Sequence, residues 1–233
     1  MRAEDVAVVT MTWARTPREE ATLRSALAVL ARHDLPLFVA DRDANAPFAA
    51  FLRTLPRTVA VRAASTGLVA QVKAAFAAAA SAGTRFLLYT EPDKEGFFAR
   101  HLRSFLARAP DDARTGIVIA ARTDAAIDTF PPMQRYTEGI ANHLVGNAVG
   151  ITGDYCYGPF LVERGVAADI EHMSGDLGWG WRPYVFRAAH RRGAGIAHVR
   201  DEFCCPVNQR DEDEAERTHR LRQLRDNLLG LIA

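Results

Sequence analysis

Short apolar runs and helically spaced apolar residues alternate along the first hundred positions. Val6 to Met11 (VAVVTM) is β-branched and apolar, the pattern of a strand buried on both faces. Thr16-Pro17-Arg18-Glu19 then supplies a helix start: a Thr cap, Pro at the first helical position and Glu three after the cap. Leu23, Leu27 and Leu30 follow at helical spacing. A second strand, LPLFVADRD, ends in Asp41 and Asp43. A short helix is predicted over Phe48 to Leu55 and a strand over TVAVRA, 58 to 63. Leu68, Val69, Val72, Ala75, Phe76 and Ala79 form one face of a helix that Gly83 ends. The next strand runs into FLLYTEPDKEG, 86 to 96. Strand alternating with helix is the signature of βαβ units and a parallel sheet.

Beyond residue 96 the pattern loosens. A helix is predicted over 97 to 108, stopped by Pro110, then a strand in TGIVIAARTD. Pro131-Pro132 precede an amphipathic helix from Gln134 to Val145, and GDYCYGPFLVERG is rich in Gly and Tyr. After SGDLGWGWRPY comes a helix to Arg192 and a short strand, GIAHV. The charged tail from Asp211 reads as a surface helix with Leu221, Leu224 and Leu228 as its docked stripe or as a dimer seam.

Parallel sheets bind ligands beyond the carboxyl ends of their strands. Asp41, Asp43, Glu91 and Asp93 all fall at such ends, more carboxylates than solvation requires. Composition narrows the class. With 233 residues, 48% hydrophobic and 24% charged, the chain fits one globular domain or two small ones and needs no disulfide or metal for stability. A formal net charge of +1 argues against a nucleic-acid binder. Three cysteines, Cys156, Cys204 and Cys205, without metal-ligand spacing fit a reducing compartment. No leader is evident, and no window approaches the roughly 20 apolar residues of a membrane span. A cytoplasmic protein is expected.

The run STGLVAQVKAAFAAAASAGTRFLLYTEPDK resembles the helix and metal-motif strand of GT-A-fold nucleotide-sugar glycosyltransferases. Glu91-Pro92-Asp93 stands where that family has Asp-x-Asp; YGPFLVERG and SGDLGWGWRPYVFRAAHRRGAGIAHV are similar to its later site segments. The order matches over residues 5 to 200. The resemblance implies a single α/β domain with a Rossmann-type, mostly parallel central sheet flanked by helices. Residues 1–110 are then the nucleotide-sugar half, 111–205 the acceptor side and 206–233 a charged C-terminal helix. It also implies a Mg²⁺- or Mn²⁺-assisted transfer of sugar from a nucleotide-sugar donor to an acceptor.

Site residues follow from the resemblance, each beside a plainer reading. Glu91 and Asp93 are metal ligands or solvated turn acids, and Glu replaces the family's first Asp, with Pro between and Lys94 after. Asp41 and Asp43 hold base or ribose, or belong to an ordinary turn. Thr12 and Arg15 line the nucleotide, and Lys73 approaches a phosphate or faces solvent. Asp176 is the catalytic base of an inverting enzyme, an acceptor ligand, or a helix cap. Trp179 and Trp181 stack on acceptor sugar or sit in the core. Arg182 pairs with phosphate or a local acid. His198 is a third metal ligand or a structural strand residue. Two rivals remain: a non-catalytic binding protein of the same fold, and a sugar nucleotidyltransferase, whose Gly-rich phosphate loop TMTWARTPREE lacks.

Overall fold

The computed structural model describes residues 1–42 and 46–233. Its strands are β1 (Val6–Thr12), β2 (Leu37–Asp41), β3 (Thr58–Val61), β4 (Phe86–Tyr89), β5 (Thr115–Arg122), β6 (Phe160–Glu163) and β7 (Gly195–Asp201). They form one sheet in the order β3-β2-β1-β4-β6-β5-β7. Every neighbouring pair is parallel except those of β6, which runs against β4 and β5.

Helices α1 (Pro17–Ala31), α2 (Ala46–Thr54), α3 (Leu68–Ala80), α4 (Glu95–Arg100) and α5 (Leu102–Arg108) accompany the first half. The second half carries α6 (Asp124–Ile127), α7 (Pro132–Val149), α8 (Arg164–Ala167), α9 (Trp181–Arg191) and α10 (Glu214–Ile232). Side-chain alternation along the strands divides the interior. Val6 and Val8 face a core shared with α1, α2, α4 and α5, whereas Ala7, Val9 and Met11 face α3, α7, α8 and α9. This is the GT-A-like α/β sheet that the sequence led us to expect.

Local signals explain the element starts. Thr16 accepts a hydrogen bond from the Glu19 amide at 3.2 Å, and the Glu19 carboxylate accepts one from the Arg15 amide at 2.8 Å. The helix predicted over 97 to 108 is two helices, broken at His101, whose φ of −118° leaves helical geometry. Helix α7 runs longer than predicted and ends on Gly150 at φ 71°, a left-handed cap.

The tail departs from its expected docking. Leu221 and Leu228 are exposed, and the buried residues of α10 are Asn227 and Gly230. The helix is held by backbone proximity instead. A Cβ on Gly230 would lie 1.8 Å from the Gly180 carbonyl oxygen, and Arg187 of α9 donates to the Leu231 carbonyl. Gly230→Ala is therefore expected to cost about 2 to 3 kcal/mol, because backbone rather than a flexible side chain blocks the methyl. Urea denaturation reads this, and an unchanged midpoint would mean that α10 is not seated on Gly180.

Candidate active site at the ends of β1, β2 and β4

Strands β2, β1 and β4 are adjacent and parallel, so their carboxyl ends share one edge. There Thr12 donates its hydroxyl to the Asp41 carboxylate, both side chains buried. Gln71, buried on α3, donates to the carbonyls of Thr12 at 3.1 Å and Ala40 at 2.9 Å, tying the helix to the ends of β1 and β2. Trp13, exposed just beyond β1, has the Arg42 guanidinium stacked 4.0 Å from its ring centroid. Asp43 lies outside the described residues. Arg15 is exposed and paired with Glu19.

On the other side of β1, Thr10 anchors the end of β4 by donating to the Thr90 carbonyl at 2.8 Å. Glu91 then turns inward. Its Oε1 accepts from Arg182 Nη1 at 3.0 Å; the Arg182 side chain is buried and that of Glu91 is 15% exposed. Gly158 makes room for the carboxylate: at φ 125°, a Cβ there would lie 1.8 Å from Glu91 Oε2. Burial pushes the Glu91 carboxyl above the usual carboxylate range, against the opposing pull of Lys94 and Arg182. Asp93 stays exposed on the rim, and the Lys94 ammonium lies 4.8 Å from the Tyr157 ring centroid.

Glu91, Asp93, Lys94, Trp179 and Arg182 all line one cleft of about 1090 Å³. Its far walls come from the segment after β7 and from α10. Beneath it lies a network that sequence reasoning missed. Arg122, 1% exposed at the end of β5, donates to Asp154 at 2.7 and 2.8 Å and pairs with Glu138 at 2.7 Å. Burial raises the Asp154 pKa, but hydrogen bonds from Arg122 and its charge outweigh that and hold it at about 2. Neither TGIVIAARTD nor GDYCYGPF announces this pairing, which links residues 32 positions apart.

Four expected site residues take other places. Trp181 is fully buried, with Tyr89, Phe160 and Phe76 ring centroids 4.7, 5.7 and 5.8 Å away, and it serves the core. His198 does not line the cleft. It packs edge-on to Tyr155 at 4.9 Å and against Gly153, and burial lowers its pKa despite Asp154. Lys73 neither faces solvent freely nor points to the cleft; its ammonium donates to the carbonyls of Glu171 and Met173 at 3.1 and 2.6 Å. Asp176 is exposed, accepts from the Gly178 amide at 3.1 Å across a local turn and lies outside the cleft lining; Gly180, not Asp176, is the N-cap of α9.

Among the described residues no three His, Cys, Asp or Glu side chains converge on a metal position. That still fits a hard divalent cation, since Mg²⁺ is commonly held by one or two carboxylates, with substrate phosphates and water completing its shell. Asp93 supplies an exposed carboxylate at the right edge. Glu91, its expected partner, gives Oε1 to Arg182, while its Oε2 is buried without a partner.

Arg182→Met is expected to destabilise the fold by about 1 to 3 kcal/mol, because the largely buried Glu91 carboxylate loses its hydrogen-bonded partner and keeps only the nearby Lys94 charge. Protonation relieves that charge, so the raised Glu91 pKa makes the loss smaller near pH 5 than near pH 8. Denaturation at both pH values reads it; a pH-independent loss would show that the pair does not govern the effect. The depressed Asp154 pKa predicts the opposite limb. Its contribution is complete above the usual Asp pKa of about 4 and fades as pH falls to about 2. Acid denaturation of Asp154→Asn should lack that dependence.

No protein-family model and no curated protein matches the sequence. Solved structures do match. Glucosyl-3-phosphoglycerate synthase from Mycobacterium tuberculosis, in complex with Mn²⁺, UDP and glucosyl-3-phosphoglycerate, superposes with a TM-score of 0.61 at 15% identity, over 97% of this chain and 79% of that one. Its UDP complex gives 0.63 at 13% identity with the same coverage. A mycobacterial protein gives 0.63 at 14%, covering 97% of this chain and 74% of its own. Likeness across nearly the whole chain at so low an identity establishes a shared fold: this chain is built as a GT-A domain.

Proposed function

We propose that the chain is a glycosyltransferase that moves a sugar from a nucleoside-diphosphate sugar to an acceptor hydroxyl, assisted by a divalent cation. One observation carries the reading. On a GT-A sheet, the Thr12–Asp41 pair and the cleft holding Glu91, Asp93, Lys94 and Arg182 flank the same strand, β1. The similar synthase has been solved with Mg²⁺ and UDP, and with Mn²⁺, UDP-glucose and either phosphoglyceric acid or glycerol 3-phosphate.

In this reading Asp41, oriented by Thr12, receives the nucleoside. Asp93 would hold the cation, which would supply charge neutralisation for the diphosphate. Arg182 and Trp179 stand on the acceptor side, where Trp179 offers a face to a sugar ring. The bond from the anomeric carbon to the phosphate oxygen breaks and a bond to the acceptor oxygen forms. The acceptor proton passes to a departing phosphate oxygen or a neighbouring carboxylate. Residues 1–110 act as the donor half and 111–205 as the acceptor side, bridged by the Glu91–Arg182 pair. Three free cysteines support a reducing, cytoplasmic setting, and among the described residues no helix is long and apolar enough to cross a membrane.

A second reading, a nucleotide-sugar binder without turnover, draws on the commitment of Glu91 to Arg182. Release of nucleoside diphosphate from a panel of donor sugars and acceptors separates the two. The site itself is tested by calorimetry with UDP and GDP, with and without Mn²⁺. One nucleotide is expected to bind at least about tenfold tighter with Mn²⁺, a difference of about 1.4 kcal/mol, and Asp93→Asn is expected to abolish that gain. Failure of both nucleotides to bind would end the assignment.

A further inference from the structure

The first turns of α10 present Glu216, His219, Arg220 and Gln223 at helical spacing, and all four line the cleft. The tail is thus a wall of the candidate site. Arg220 and Arg182 also share a small cavity of about 10 Å³ with Cys156 and Gln223, room for roughly one water. Two guanidiniums from different helices therefore border the same inner end of the cleft.

Hydrogen-bond donors exceed acceptors there. Arg182 gives Nη1 to Glu91, and its Nε is buried without a partner. Arg220 gives Nη1 to Gln223 and Nη2 to Glu216, and its Nε is likewise buried and unpartnered. Behind them Arg122 Nη1 is in the same state. The Lys94 ammonium faces the Tyr157 ring and makes no ion pair among the described residues. The carboxylates at this end are largely matched: Glu138 by Arg122 and Gln134, Glu216 by Arg220, and Glu91 by Arg182 through Oε1, which leaves Glu91 Oε2 as one unpartnered acceptor against three unpartnered guanidinium nitrogens. The remaining lining acids, Asp93, Glu95, Asp211, Glu212 and Asp213, belong to the β4–α4 turn and the approach to α10. Of these, Asp213 caps α10 and Glu212 pairs with Arg217.

Buried guanidinium nitrogens without acceptors are costly, and an oxyanion is the ligand that satisfies them best, with short charge-assisted bonds. Thr12 and Asp41 do not line this cleft, so its inner end is separate from the nucleoside position. We propose that Arg182 and Arg220, with Lys94, form a subsite for an anionic group, phosphate or carboxylate, carried by the acceptor. This rests on the glycosyltransferase reading and names the class of its acceptor.

The test is calorimetric titration of the protein, with and without UDP and Mn²⁺, using glycerol 3-phosphate, glycerate and glycerol. At least one of the two anions is expected to bind tenfold or more tightly than glycerol, and the stronger of them identifies the group recognised. Arg220→Gln is expected to remove that preference and Arg220→Lys to restore part of it, with circular dichroism showing that both variants are folded. Glycerol binding as well as both anions, or a preference untouched in Arg220→Gln, would overturn the subsite. UDP titration in the same series reads the donor site separately. Arg220-dependent anion binding without any UDP binding would sink the glycosyltransferase reading and leave the subsite standing.

Discussion

The buried contact between Glu91 and Arg182 joins the two halves of the domain. Glu91 belongs to the turn after β4 and Arg182 to the first turn of α9, 91 residues later. Removing either partner leaves a desolvated charge without its hydrogen-bonded counter-ion, which for Glu91 only the Lys94 charge offsets. Each fixes the other, and together they fix what adjoins them: Asp93 and Lys94 on one side, Trp179 and the docked α10 on the other. The arrangement also changes the chemistry expected of a motif acid. A carboxylate engaged by a guanidinium is a structural counter-ion first, which concentrates cation binding on Asp93 and adds a permanent positive charge to the cleft.

The sheet supports this pair from below. Fully buried strands β1, β2 and β4 end together; Thr10 and Gln71 donate to backbone carbonyls where they stop, and Thr12 holds the Asp41 carboxylate. The Arg122–Asp154–Glu138 network does the same beside β5. Polar groups near the cleft are thus held by the scaffold rather than by mobile loops, the preorganisation that transfer chemistry exploits.

What the sequence revealed depended on how local the signal was. The run VAVVTM, the Thr16-Pro17 cap and the placement of Glu91 and Asp93 at a strand end rest on neighbouring residues, and all could be read directly. Trp179 and Trp181 show the limit. Two positions apart in the same segment, one forms a cleft wall and the other a core hub, because Trp179 sits in the turn before α9 while Trp181 opens the helix on its sheet-facing side. His198 misled for a related reason: register with Ile119 of β5 sets its side, and no local pattern encodes that register. The partners of Glu91 and Arg122 lie on distant segments. The polar face of α10 was hidden because its leucines suggested the opposite orientation.

The Gly180–Gly230 contact has a consequence for how such a protein can diversify. Backbone-to-backbone seating at Gly230, with Asp226, Asn227 and Leu231 nearby, places the docking contacts in the last turns of the helix and leaves its first turns less constrained. The cleft-facing stripe at 216, 219, 220 and 223 can therefore be rewritten while the strand edge that would receive the nucleotide stays as it is. A tail attached in this way works as an interchangeable faceplate, through which new acceptors can be recruited without rebuilding the engine behind it.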